Sequence, residues 1–184
     1  MPAERRVLVP PPAPLNSLRI YRICVVCLGN ICRSPMAGAL IEAELAAAGL
    51  SERVSVESAG TGDWHLGERM DSRARAELAR RGYDGSVHRA RQIGPDWLDR
   101  FDLLLAMDAS NLRDLRAMSA GRPELAGRIR LFRSFDPEAP EGAEVPDPYV
   151  GGPGEFAAVF DLMQSAARGL VAELARLLAP RSGD

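Results

Sequence analysis

Val26-Cys27-Leu28-Gly29-Asn30-Ile31-Cys32-Arg33-Ser34-Pro35 is the stretch on which the reading of this chain turns. It overlaps Arg22–Cys27, a short apolar run of the kind that forms a buried strand. The run breaks at Gly29-Asn30. Ser34-Pro35 then predicts a helix start, with Ser34 as the cap and Pro35 at the first helical position. That helix is expected to reach about Ala48 and to stop near Gly49. A loop between a strand end and a helix N-terminus can curl its backbone N–H groups inward. Those donors and the helix dipole together make an anion site. Gly29 permits close backbone approach or a positive φ, and Asn30 is the non-glycine residue most tolerant of the latter. Leu28, Gly29, Asn30, Ile31, Cys32 and Ser34 are thus the candidate phosphate-binding loop. Arg33 offers a planar fork matched to two phosphate oxygens. Cys27 lies in the same field, which favours the thiolate, the nucleophilic form. The Ser34 hydroxyl can donate to that sulfur.

Outward from this loop the pattern repeats. Arg53–Ser58 alternates as a second strand. Ser72–Arg81 is an Ala/Arg/Leu helix ended by Gly82. Phe101–Met107 is a third apolar strand, followed by a helix from about Ala109. Arg128–Phe132 reads as a fourth strand and Glu155–Leu178 as a long amphipathic helix. Short apolar strands alternating with helices require crossover connections, hence parallel pairing. The expected fold is α/β: a doubly wound, four-stranded parallel sheet with helices on both faces, flavodoxin-like. Ligands in such sheets bind beyond the carboxyl ends of the strands, where Cys27 sits. Residues 1–19 are Pro-rich and aperiodic and read as a disordered tail or an overlong gene start; residues 20–180 read as one domain.

Composition narrows the chemistry. The 23 basic residues are all arginines, so neither a Schiff-base lysine nor a nucleotide-loop lysine is available. A net charge of −2 provides no basic stripe for nucleic acid. No apolar run is long enough for a bilayer, and the N-terminus carries no signal-peptide pattern; the expectation is a cytoplasmic protein without membrane contact. The three cysteines, Cys24, Cys27 and Cys32, fall within nine residues, which suits thiol chemistry better than a disulfide framework or a four-cysteine metal site. Cys24 and Cys27 are an odd number apart on a strand, so they should face opposite ways, with Cys24 in the core. The two histidines are far apart and no carboxylates cluster with them, so no metal site is expected.

The quoted loop resembles the signature loop of the low-molecular-weight protein tyrosine phosphatases. Asp147-Pro148-Tyr149 matches that family's second motif. The resemblance continues through Ser58-Ala59-Gly60-Thr61-Gly62 and Met107-Asp108-Ala109-Ser110-Asn111-Leu112, and covers Tyr21 to about Leu178. It implies phosphotyrosine hydrolysis through a phosphocysteine intermediate, without cofactor or metal. Its substrates would be phosphotyrosine-containing proteins, and inorganic phosphate or vanadate would act as inhibitory ligands. It makes Asp147 the general acid and later the base for water, stiffened by Pro146 and Pro148. It places Trp64 and Tyr149 as pocket walls, joined by Leu28 and Ile31. Asn30, Ser58 and His88 become the support of the loop, and Cys32 a reversible disulfide partner of Cys27. His65 receives no role. Many members carry a second tyrosine after Asp-Pro-Tyr, where this chain has Val150. Three other readings share these residues. An arsenate reductase of the same fold needs cysteines beyond Cys32, and there are none. A phosphoarginine phosphatase characteristically has threonine at the Ile31 position. A phosphate-binding adaptor has no use for Cys27, Arg33 and Asp147 together.

Overall fold

The computed structural model describes residues 9–10 and 19–179 of the chain. Four strands form one sheet in the order β2-β1-β3-β4. They are β1 (Tyr21–Cys27), β2 (Val54–Gly60), β3 (Leu103–Ala106) and β4 (Ile129–Leu131), and every pairing is parallel. The helices are α1 (Arg33–Ala47), α2 (Ser72–Arg80), α3 (Ala109–Met118) and α4 (Pro153–Leu177). The pleat of the strands divides the core in two. Ile23, Val25, Leu103 and Leu105 face α1, α2 and α4. Val26, Leu104, Ala106 and Ile129 face the other way, onto Leu115 of α3 and the turns carrying Leu98, Phe101 and Leu125. A sheet covered on both faces explains why its two central strands are continuous apolar runs, β1 from Ile23 to Cys27 and β3 throughout, while the edge strand β2 alternates. The same pleat separates Cys24, in the second cluster, from Cys27, in the first. Burial pushes the Cys24 thiol far above its ordinary range, as befits a core filler.

The expected doubly wound fold is thus the observed one, with differences at element ends that have local causes. Strand β2 extends to Gly60 because its amide donates to the Arg91 carbonyl and its carbonyl accepts from Ile93. Glycine is required there: a Cβ would stand 2.6 Å from the Leu28 carbonyl oxygen. Strand β3 is shorter than Phe101–Met107, since Phe101 closes a 3₁₀ helix over Pro95–Arg100 and the Met107 carbonyl turns to accept from Val145. Strand β4 is clipped between two further 3₁₀ helices, Pro123–Arg128 and Phe132–Phe135. Helix α4 begins at Pro153, earlier than Glu155, whose carboxylate reaches back to accept from the Gly152 amide at 2.9 Å. The expectation that Ser34 caps α1 is wrong: Arg33 is the first helical residue, and Ser34 and Pro35 are the second and third. The Ser34 hydroxyl is used elsewhere, as described below.

Of the expected Pro-rich tail over residues 1–19, Val9, Pro10 and Arg19 lie within the described residues. Val9 is buried in the first core cluster, and the Pro10 carbonyl accepts from the Tyr21 hydroxyl at 3.0 Å. The rest of residues 1–18 lies outside the described residues. Among the described residues no helix is long and apolar enough to cross a membrane.

Candidate active site

Strand β1 ends at Cys27, and the chain must turn within five residues before α1 begins at Arg33. Asn30 is the residue that makes the turn. Its φ of 55° is the one positive value outside glycine among the described residues. Such a conformation persists only when its surroundings over-determine it, and Asn30 is completely buried and tied on every side. Its side-chain amide donates to Ser34 Oγ at 2.8 Å and to Ser58 Oγ at 3.0 Å. Its Oδ1 accepts from the Arg91 amide at 2.8 Å, and its own carbonyl accepts from His88 Nε2 at 2.7 Å. A carbonyl only accepts, so Nε2 carries the proton. Burial pushes the His88 pKa below its ordinary value, aided by Arg91 and Arg89 and opposed by the bond to Asn30. The lowered pKa favours the neutral ring, and in that ring the bond to Asn30 fixes the Nε2–H tautomer.

Inside this frame the Asn30 amide donates to Cys27 Sγ at 3.3 Å. Ser34 Oγ lies 3.0 Å from the same sulfur and 3.3 Å from the Ala59 carbonyl. Because Oγ already accepts from Asn30, its single proton is left for the sulfur or that carbonyl. The hydroxyl expected to cap the helix is therefore shared among Asn30, Cys27 and Ala59. Arg33 is buried, and its guanidinium forks between two carboxylates. Nη1 donates to Asp108 Oδ2 at 2.6 Å and to the Val145 carbonyl at 3.2 Å, while Nη2 donates to Asp147 Oδ2 at 2.8 Å. Burial disfavours the charge on Arg33, but Cys27, Asp108 and Asp147 outweigh it and raise its pKa. Cys32 shares the pocket with Cys27, yet its thiol is pushed up to about 12, by burial first and then by Asp71. Burial thus disfavours the thiolate form of Cys32 at neutral pH. All three cysteines are free thiols.

The pocket above the sulfur has apolar walls. Leu28 and Ile31 come from the loop, Trp64 from the segment after β2, and Tyr149 from the segment before α4. Trp64 is 69% exposed and so is not a core residue. Asp147 stands at the same mouth. The structure thus gathers Cys27, Arg33, Asp147, Trp64 and Tyr149 around one cavity, with Ser58 and His88 behind the loop.

Two further residues belong to the site. Asp108 caps α3 through its Oδ1, which accepts from the Asn111 amide at 2.8 Å, and holds Arg33 with Oδ2. Its signal was an acidic residue at the carboxyl end of β3, which pairs directly with β1. His65 lines the pocket beside Trp64, its ring so close over Gly29 that a Cβ there would stand 2.9 Å from Cδ2. Its Nδ1 lies 2.8 Å from Glu68 Oε2, an i,i+3 pairing visible in the sequence.

Comparison with known proteins agrees with this geometry. Residues 22–179 match the family model described as low molecular weight phosphotyrosine protein phosphatase. A low molecular weight protein-tyrosine-phosphatase of Streptomyces coelicolor is 47% identical over 153 residues, covering 83% of this chain and 92% of that protein. Low molecular weight protein-tyrosine phosphatase A of Mycobacterium tuberculosis is 44% identical over 149 residues, covering 80% and 88%. The crystal structure of a protein tyrosine phosphatase from Entamoeba histolytica superposes with a TM-score of 0.79 at 33% identity, covering 85% of this chain and 97% of that one. The match spans nearly all the described residues, including the loop, its arginine and the Asp-Pro-Tyr segment, and the chain therefore belongs to the low-molecular-weight phosphotyrosine protein phosphatase family.

Proposed function

We propose that this protein hydrolyses phosphotyrosine in proteins through a phosphocysteine intermediate. The observation that carries the reading is the convergence of Cys27 Sγ, the Arg33 fork and the Asp147 carboxyl on one aromatic-walled pocket. Cys27 Sγ attacks phosphorus; the S–P bond forms as the P–O bond to the phenol breaks. Asp147, protonated for this step, gives its proton to the departing phenolate oxygen. Water then attacks the phosphocysteine while the Asp147 carboxylate takes its proton. The S–P bond breaks, inorganic phosphate leaves, and the thiolate is received again by Ser34 and the Asn30 amide. Arg33 and the loop amides carry the charge on the transferring phosphoryl group, so no step asks for a metal. Asp147→Asn is expected to lose about 10²–10⁴-fold in kcat on phenolic esters. The loss should shrink steadily along an aryl phosphate series as the leaving group needs less protonation. A uniform loss along that series would remove Asp147 from the acid role.

Substrate choice follows from the walls. Ile31 is 7% exposed and presents hydrocarbon to the pocket beside Trp64 and Tyr149. A phenyl ring gains by burial there. A guanidinium would lose hydration without a partner, at about 1–3 kcal/mol per unpaired group. Phosphoserine is too short to bring phosphorus down to Cys27 while its backbone stays at the rim. On matched peptides, kcat/KM is expected to rank phosphotyrosine first, phosphoarginine below it and phosphoserine near zero. A higher value for phosphoarginine would reassign the substrate and leave the mechanism standing.

A further inference from the structure

The floor and the roof of this pocket come from distant parts of the chain. The floor is the loop after β1, and the roof is Asp147-Pro148-Tyr149, just before α4. Packing holds the roof at Pro148, which is buried, but not beyond it: Tyr149 is 47% exposed and Val150 is 96% exposed. Arg33 Nη2 joins it to the floor at Asp147 Oδ2, 2.8 Å away, and the first turn of α2 makes a second connection at the Tyr149–Gly151 end. The Asp71 amide donates to the Ile31 carbonyl at 2.9 Å, hooking the start of α2 onto the loop. The Asp71 carboxylate caps α2 through the Arg73 amide at 2.8 Å. It also grips the Arg73 guanidinium twice, accepting from Nε at 3.1 Å and from Nη2 at 2.9 Å. The third nitrogen, Nη1, donates to the Gly151 carbonyl at 2.8 Å. The guanidinium also lies 5.6 Å from the Tyr149 ring centroid and 4.8 Å from that of Phe156, within cation–π range of both.

A single exposed ion pair contributes little. Arg73 differs because all three nitrogens are engaged and its plane is shared between two rings, which leaves the fork one orientation. We infer that Arg73 is a positioning residue for the reaction. It holds the Asp147–Tyr149 segment over the phosphate loop through the path Ile31–Asp71–Arg73–Gly151, so that the acid and the aromatic wall both face the reacting phosphoryl group. Arg73 itself does not line the pocket. The inference rests on Asp147 acting as the general acid.

The test is Arg73→Met, which keeps an unbranched apolar stem against Phe156 and removes the fork. It is assayed beside Asp147→Asn on the same aryl phosphate series, with vanadate inhibition of each protein. Misplacing the acid by about 1 Å is expected to cost Arg73→Met about 10²-fold on a phenolic leaving group. The loss should fade where the leaving group needs no proton, and vanadate inhibition should stay at the wild-type value, because Cys27, Arg33 and the loop are untouched. An even loss along the series, weakened vanadate binding, or no loss at all would overturn the inference. If Asp147→Asn itself shows an even loss, the acid assignment has failed first, and this inference falls with it. Asp71→Asn supplies a second variant should Arg73→Met fail to fold. Asparagine still caps α2 and keeps the amide on Ile31, so it should give the same leaving-group dependence with a smaller loss.

Discussion

A Cys27→Ser protein is expected to turn over no phosphotyrosine peptide and still to bind vanadate. The geometry supports both halves. The Asn30 amide and Ser34 Oγ point at the sulfur from 3.3 and 3.0 Å, in a loop braced by Ser58, His88 and Arg91. None of those braces depends on the sulfur, so the loop keeps its shape when oxygen replaces it. Arg33 likewise keeps both carboxylate partners. What is lost is the nucleophile: a serine hydroxyl without an adjacent base is not ionised at neutral pH, whereas thiolate is the reactive form of cysteine. The neighbouring Cys32 is a poor substitute, because burial disfavours its thiolate form. The measurement is single-turnover hydrolysis together with vanadate titration. Residual turnover at about a tenth of the wild-type rate would end the nucleophile assignment, since an unactivated hydroxyl cannot supply it.

Arg33→Lys is the second large effect. The guanidinium serves two carboxylates from two nitrogens, with the Val145 carbonyl as a third acceptor. An ammonium on a flexible stem is a point charge and cannot span that set while presenting a planar face to phosphate. It also leaves Asp108, a mostly buried carboxylate, without its 2.6 Å partner and free to repel an incoming dianion. The expected loss in kcat/KM is about 10²–10³-fold, the scale seen when one donor to a developing anion is removed. Vanadate affinity should fall as well, in contrast with Cys27→Ser. Near-normal catalysis or unchanged vanadate affinity in Arg33→Lys would refute the clamp.

Much of this site is readable without coordinates because its core is local. A strand, a turn containing Gly29 and Asn30, and a helix start lie within about a dozen residues, the range over which backbone preference and capping act. The left-handed Asn30, the opposite faces of Cys24 and Cys27 and the doubly wound sheet all follow from such local rules and from the need of parallel strands for crossovers. Other features belong to the tertiary structure alone. Ser34 has the identity of a helix cap, and only the folded loop shows that Cys27, Asn30 and Ala59 claim its hydroxyl instead. Arg33 and Asp147 are separated by 114 residues, and Arg73 and Gly151 by 78. No periodicity reaches that far. Asp108 meets Arg33 because β3 pairs with β1 in a register that brings their carboxyl ends level. Sequence specifies which residues can ionise, bend or stack within a few turns of chain. Which of those residues touch across the pocket is decided by strand pairing and helix packing, because only burial and closure of long loops can bring such distant groups within hydrogen-bond range.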